Sequence, residues 1–144
     1  MEQNIQEYEQ LRMKIFMELD ESGKKEKTVM YSTSLPKGLK ESLHLAANAL
    51  HRKKADWVRT ALNRYLLQED KDQELQIMKS YQEMGLKQLR PFTTTLYENQ
   101  LRQLTSQSKS LKRSKAEILR TAIFAFLSVS AAVQEKEIKN FLSR

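Results

Sequence analysis

The side chains that could do chemistry in this chain are basic groups and hydroxyls, which suit anion binding better than catalysis. Residues 23–68 hold ten basic and three acidic side chains, and residues 88–130 hold seven basic and two acidic ones. The segments outside these two ranges are acidic or near neutral. This distribution fits an anionic partner, such as a nucleic acid, bound by the two basic segments. A set of solvated surface lysines is the alternative interpretation.

Catalytic and metal-binding chemistry have little support in the sequence. It contains no cysteine, no glycine-rich phosphate loop, no paired-carboxylate pattern and no nucleophile motif. His44 and His51 lie seven residues apart without carboxylates or cysteines at ligand spacing. No secretory signal is present, and no apolar run approaches the roughly 20 residues of a membrane span. We therefore expect a cytoplasmic protein that is not an enzyme, with no cofactor, no metal and no membrane partner.

The two basic segments are copies of one pattern. Residues Lys54–Tyr65 recur as Lys115–Phe126, at an offset of 61 residues that needs no gap, and both share the sequence Arg-Thr-Ala. Upstream, at the same offset, Tyr31-Ser-Thr-Ser aligns with Phe92-Thr-Thr-Thr. An internal repeat of this kind determines how a fold is built.

Each copy predicts one strand followed by two helices. Apolar and hydroxyl residues alternate with period two, which predicts strands whose inward side chains are Tyr31, Thr33 and Leu35 in one copy and Phe92, Thr94 and Leu96 in the other. Apolar spacings of three and four then predict two helices per copy. Ser114 and Glu117 form a capping box at the start of the last one. Whether that helix ends near Ser130 or continues to Phe141 stays open.

Two copies solve a folding problem that a single copy has. A lone strand has no partner, and two short helices bury too little apolar surface to fold alone. We therefore predict one folded, mainly α-helical domain in which the strands pair as a short two-stranded antiparallel ribbon. The predicted segments are an amphipathic N-terminal helix (1–22), a basic arm with the first unit (23–68), a partly helical linker (69–88), the second unit (89–130) and a helical tail (131–144).

The segment Tyr31-Ser-Thr-Ser-Leu35 and the phrase Leu111-Lys-Arg-Ser-Lys-Ala-Glu-Ile-Leu-Arg-Thr-Ala-Ile123 resemble the ribbon-helix-helix DNA-binding proteins of the MetJ/Arc/CopG type. The resemblance covers residues 28–67 and 89–128. Members of that family are normally homodimers, so this chain looks like a tandem version with both halves of a pseudo-dimer on one polypeptide. The resemblance implies a nucleoid-associated protein of a prokaryote or phage, acting as a transcriptional repressor or in plasmid or phage DNA maintenance.

The resemblance also implies where double-stranded DNA would be contacted. The ribbon would enter the major groove, where Ser and Thr hydroxyls can donate to or accept from base edges. Together with a flanking arginine, this predicts base contacts from Met30, Ser32, Ser34, Arg90, Thr93 and Thr95. The N-termini of the second helices attract anions through free N–H groups and the helix dipole. The resemblance therefore implies phosphate contacts at these helix starts and from the basic side chains near them: Lys27, Arg52, Lys53, Lys54, Arg113, Ser114 and Lys115.

The sequence departs from the family pattern in its ribbon and in one cap. Family ribbons often carry Arg, Lys, Asn or Gln, whereas the outward positions here hold hydroxyls with Met30 and Pro91, so modest base discrimination is expected. Lys53 stands where a capping hydroxyl is expected. Arg59 and Arg120 recur identically in the second helices, where they could reach phosphates or form structural ion pairs. For the hydroxyls, an ordinary solvent-facing strand side is the alternative.

A protein-interaction module is the competing hypothesis. Antitoxins of this family wrap a toxin with a terminal segment, and residues 1–20 or 131–144 could do so here. The resemblance further predicts that chains associate side by side on DNA.

Overall fold

The computed structural model describes residues 27–68 and 88–143. Its elements are strand β1 (Thr28–Pro36), helices α1 (Lys37–Ala49) and α2 (Lys54–Leu67), strand β2 (Leu89–Tyr97), and helices α3 (Glu98–Leu111), α4 (Lys115–Leu127) and α5 (Ala131–Leu142). The described chain is therefore mainly helical with one two-stranded sheet, as predicted. The helix predicted at 1–22 and nearly all of the predicted linker lie outside the described residues.

The sheet is an antiparallel pair of strands with one buried and one open face. In its register, Ser32 stands directly opposite Thr93 at the centre. Leu35, Phe92 and Leu96 are buried on the inner face, whereas Ser32 and Thr93 are exposed on the other. Successive strand residues point to opposite faces, so this alternation confirms the faces predicted from the sequence.

Helix starts follow the local chemistry of the sequence. Pro36 is the last residue of β1 and the N-cap of α1, a place where its missing N–H costs no helical hydrogen bond. At the start of α4, the hydroxyl of Ser114 accepts the backbone N–H of Glu117 at 3.1 Å. The Ser114 half of the predicted capping box is thereby confirmed, whereas the carboxylate of Glu117 lies 3.8 Å from Arg113. Gln100 serves α3 in a related way, because its side-chain oxygen accepts the N–H of Tyr97 at 3.2 Å.

The core lies between both helix pairs and the inner face of the ribbon. Trp57 and Phe126, on α2 and α4, are fully buried, and their ring centroids lie 4.8 Å apart. Tyr65 is also buried. Phe124, in contrast, is only half-buried and packs against the edge of the core.

The last helix of the second copy ends at Leu127, and a separate helix follows it. The chain turns at residues 128–130. At the start of α5, the hydroxyl of Ser130 accepts the N–H of Val133 at 3.3 Å. This answers the question that the sequence left open about where α4 ends.

A buried glutamine packs α5 against α2. The side-chain oxygen of Gln134 accepts the indole N–H of Trp57 at 3.1 Å, and its Nε2 donates to the carbonyl oxygens of Phe126 at 3.0 Å and Val129 at 3.1 Å. A buried amide with all of these partners is well satisfied. Residues 131–142, one of the two segments considered for binding a protein partner, are therefore packed against their own chain.

Candidate nucleic-acid interface

The outer face of the ribbon is formed by short polar and apolar side chains. Met30 is 77% exposed, and Ser32, Pro91 and Thr93 are exposed beside it. At the centre, the hydroxyl oxygens of Ser32 and Thr93 lie 3.1 Å apart, in hydrogen-bond contact. Each hydroxyl has one donor and two acceptor positions, so the pair keeps hydrogen-bonding capacity for a ligand. Four of the outward positions predicted from the sequence thus share one open surface.

Two arginines, here called the strand-holding arginines, donate hydrogen bonds to the hydroxyls of Ser34 and Thr95, farther along that face. Arg120 donates to the carbonyl oxygen of Ser34 at 3.0 Å and to its hydroxyl at 2.9 Å. Arg59 likewise donates to the hydroxyl of Thr95 at 2.7 Å. It also forms an ion pair with Asp56 at 2.7 Å. Ser34 and Thr95 are half-buried, and of the two roles considered for these arginines, the structure shows the internal one.

In the first copy, the residues predicted to contact phosphate differ in whether their side chains already bind another group of the chain. Lys53 is exposed and caps α2 without a side-chain hydrogen bond, so the first N–H groups of that helix lack a side-chain acceptor there. The ammonium of Lys54 lies 5.2 Å from the ring centroid of Phe92 on β2. Arg52, in contrast, is held by Glu135 of α5, with Nε 3.3 Å from Oε2. This hydrogen bond lowers the pKa of Glu135.

Arg113 of the second copy and Lys27 at the start of the first have only weak ion-pair partners. Arg113 lies 3.8 Å from Glu117, and its side chain is 46% exposed. Lys27 lies 3.9 Å from Glu98 and is still more exposed. Exposed pairs at such distances contribute little, so both cations remain accessible to a polyanion. The remaining two residues sit at the helix start, where Ser114 caps α4 and Lys115 is half-buried.

Arg90 does not lie with the other predicted base contacts. It stands opposite Leu35 in the register, which places it on the other side of the ribbon from Ser32. Its exposed side chain lines a cleft beside α1, here called the α1–β2 cleft, together with Lys37, Lys40, Glu41, His44 and Leu45. The ammonium of Lys40 donates to the carbonyl oxygen of Pro91 at 2.9 Å, which fixes α1 to the start of β2. Grouping Arg90 with the ribbon hydroxyls therefore does not match its position.

The histidine of the α1–β2 cleft has an altered acidity. Burial lowers the pKa of His44, and the positive charges of Lys54 and Lys40 lower it further. Its Nε2 atom is buried without a hydrogen-bond partner among the described residues. The lysines and Arg90 therefore supply the positive charge of the cleft at neutral pH.

The described ranges hold no group of three or more His, Asp or Glu side chains placed to bind a metal ion. Within the same ranges, every helix is too short or too polar to cross a membrane. Comparisons with protein-family models, curated proteins and solved structures find no match. The functional interpretation accordingly depends on the ribbon, its arginines and the basic helix starts.

Proposed function

We propose that this chain is a double-stranded DNA-binding protein of the ribbon-helix-helix type, with both halves of a pseudo-dimer on one polypeptide. The outer face of the ribbon enters the major groove, and the first turns of α2 and α4 contact phosphates on either side. Its biological role is that of a transcriptional repressor or a DNA-maintenance factor of a plasmid or phage, acting in the cytoplasm with chains side by side on DNA.

The observation that carries the proposal is the register of the ribbon. Ser32 and Thr93 occupy equivalent positions of the two copies, 61 residues apart, and stand directly opposite each other. Two copies related by a twofold axis through this pair would produce this register, because such an axis sets equivalent residues against each other. The register thus supports a pseudo-dimer whose centre is the hydroxyl pair.

Contacts outside the strands recur with the same offset. The strand-holding arginines each reach the strand of the opposite copy, at positions that are themselves equivalent. The N–H of Lys37 donates to the carbonyl oxygen of Gln88, and the N–H of Glu98 donates to that of Lys27, both at 3.0 Å. Reciprocal contacts of this kind are expected of an interface in which the same surface patch is used twice.

The chemistry of the exposed face suits the major groove. A two-stranded ribbon fits that groove, and hydroxyls such as those of Ser32 and Thr93 can bond base edges, while methyl groups can contact thymine. The face lacks the long side chains that make bidentate base contacts. We therefore propose that phosphates supply most of the affinity and that base discrimination is modest.

A Ser32→Ala/Thr93→Ala variant tests the ribbon. On duplexes selected from random DNA by the intact chain, discrimination against unselected duplex should fall several-fold, since a single hydrogen bond is worth about 0.5–1.5 kcal/mol. Ser34 and Thr95 are left intact because they hold the arginines. The control is Ser106→Ala/Ser110→Ala, at exposed positions of α3. Undiminished discrimination in the ribbon variant would contradict the assignment of the groove-binding face.

A Lys54→Gln/Lys115→Gln variant tests the phosphate contacts. The slope of log affinity against log salt should decrease by about one for each lysine that no longer neutralises a phosphate, for every duplex alike. Lys136→Gln/Lys139→Gln removes the same charge from exposed positions of α5 and should change the slope much less. Equal changes in both variants would mean that only net charge matters. Failure of the intact chain to bind any duplex at low salt would overturn the proposed function.

A further inference from the structure

We infer that the α1–β2 cleft is an additional DNA-phosphate site present on one flank only, so that the chain holds more of the DNA backbone beside α1 than beside α3. The inference rests on the proposed function and specifies it, since it names which side of the pseudo-dimer holds more of the backbone.

The cleft has the side chains that a phosphate site needs. Three basic residues, Lys37, Lys40 and Arg90, line it with one acidic residue, Glu41. None of the ion pairs within the described ranges engages Lys37 or Arg90. Lys40 is anchored by its hydrogen bond to Pro91, which keeps its ammonium at the cleft. A cation that is already held in place, as Lys40 is, can bind an anionic oxygen with little reordering.

The cleft continues into the proposed phosphate contact at the start of α2. Lys40 donates to the carbonyl oxygen of Pro91, the residue that follows Arg90 on β2. Lys54 in turn lies over the ring of Phe92, two residues after Arg90. The cleft and the first turn of α2 therefore meet along residues 90–92 of β2 and form one basic flank.

The other copy does not repeat this flank. The positions equivalent to Lys37, Lys40, His44 and Arg90 are occupied by Glu98, Leu101, Thr105 and Val29. Arg102, at the position equivalent to Glu41, is the one basic side chain among the six counterparts. Glu98 already faces Lys27 at 3.9 Å. The six cleft positions thus carry a net charge of +2, whereas their counterparts carry none.

Unequal flanks give the bound chain an asymmetric hold on the DNA backbone. In a homodimer the two flanks are identical, so a palindromic site is contacted equally from either side. Here the first copy offers phosphate-binding groups that the second lacks, so the flank beside α1 contacts more backbone than the flank beside α3. Phosphate contacts carry no base sequence, so removal of the cleft cations should weaken binding to selected and unselected duplexes alike.

A charge-removal pair tests the cleft itself. Lys37→Gln/Arg90→Gln should decrease the salt slope by about one to two. Its control on α3, Arg102→Gln/Lys109→Gln, removes the same charge from exposed positions that are not predicted phosphate contacts, and it should change the slope less. If the cleft pair behaves like the control while Lys54→Gln/Lys115→Gln still lowers the slope, the inference fails and the proposed function stands. If the intact chain binds no duplex, both fail.

Discussion

The guanidinium of Arg120 donates to both the carbonyl oxygen and the hydroxyl of Ser34, a residue 86 positions away on the first strand. Arg120 is only 9% exposed. Hydrogen bonds from a charged donor are stronger than neutral ones, so this contact ties a helix of the second copy firmly to the strand of the first. In the same way, Arg59 connects a helix of the first copy to Thr95 on the strand of the second.

Arg120→Met should lower the free energy of unfolding by about 2–3 kcal/mol, because it leaves the acceptors of Ser34 unsatisfied at a half-buried site. Urea unfolding measures the decrease, and a double-mutant cycle with Ser34→Ala should give a coupling energy of about 1 kcal/mol or more. Arg113→Met, at an exposed position, is the control and should stay within about 0.5 kcal/mol of the parent. Equal decreases for the two arginines would show that the contact with Ser34 contributes nothing.

Gln134→Ala should release α5 from α2. The indole N–H of Trp57 and the carbonyl of Val129 would lose their bonds to this amide, and the carbonyl of Phe126 would keep only the N–H of Val129 at 3.3 Å. The expected cost is about 2–3 kcal/mol in the free energy of unfolding. Trp57 is the one tryptophan of the chain, so its fluorescence reports the change directly, as a red shift when water reaches the ring. Lys136→Ala, on an exposed position of the same helix, should leave emission and stability unchanged. An emission maximum of Gln134→Ala at the wavelength of the parent would contradict the conclusion that Gln134 holds α5 against Trp57.

These two contacts also show which features the sequence could predict. Strand alternation depends on neighbours two residues apart, and the Ser114 cap depends on a residue three positions away, so both were predicted correctly from local spacing. Gln134 looks like an ordinary polar residue of a helix surface. Its burial depends on Trp57, 77 residues earlier, which only the folded arrangement brings close. The contact of Arg120 with Ser34 could not be predicted either, because the two residues lie 86 positions apart in the sequence.

Charge type alone proved a poor guide to position. Arg90 was grouped with the ribbon hydroxyls because it is basic and adjacent, although the period-two alternation that predicted the strand assigns it to the opposite side of the ribbon. Arg52 was predicted to contact phosphate, yet it pairs with a carboxylate 83 residues downstream. No spacing rule connects those two residues, since α5 reaches Arg52 only by folding back over α2.

Glu135→Gln should strengthen DNA binding. The change frees the guanidinium of Arg52 and removes a negative charge beside the start of α2, so the salt slope should become steeper by up to about one. Glu137→Gln is the matched control, with the same charge change on the same helix but next to Arg64 in the last turn of α2. Anisotropy titrations on one duplex compare the two variants. An equal increase in both would indicate a general effect of net charge rather than the release of Arg52.

His44 should make folding sensitive to mild acid. Burial, Lys54 and Lys40 hold its pKa in the folded chain below the ordinary value of 6.5. The unfolded chain therefore binds more protons as the pH falls below about 6.5, and the free energy of unfolding decreases there. His44→Gln should remove this part of the decrease, measured by urea unfolding at about pH 7.5 and pH 5.5. His51→Gln, at an exposed turn position, should keep it; identical pH dependence in the two variants would contradict the prediction.

Both strands of the ribbon belong to one chain, and this has a consequence for how the protein behaves when it is scarce. A ribbon shared by two chains comes apart on dilution, because its stability depends on protomer concentration. In this chain, the connecting segment keeps each strand near its partner however few molecules a cell contains. A handful of copies would therefore all stay folded. Each half is also free to change its sequence without the other, because no residue has to serve at two equivalent places.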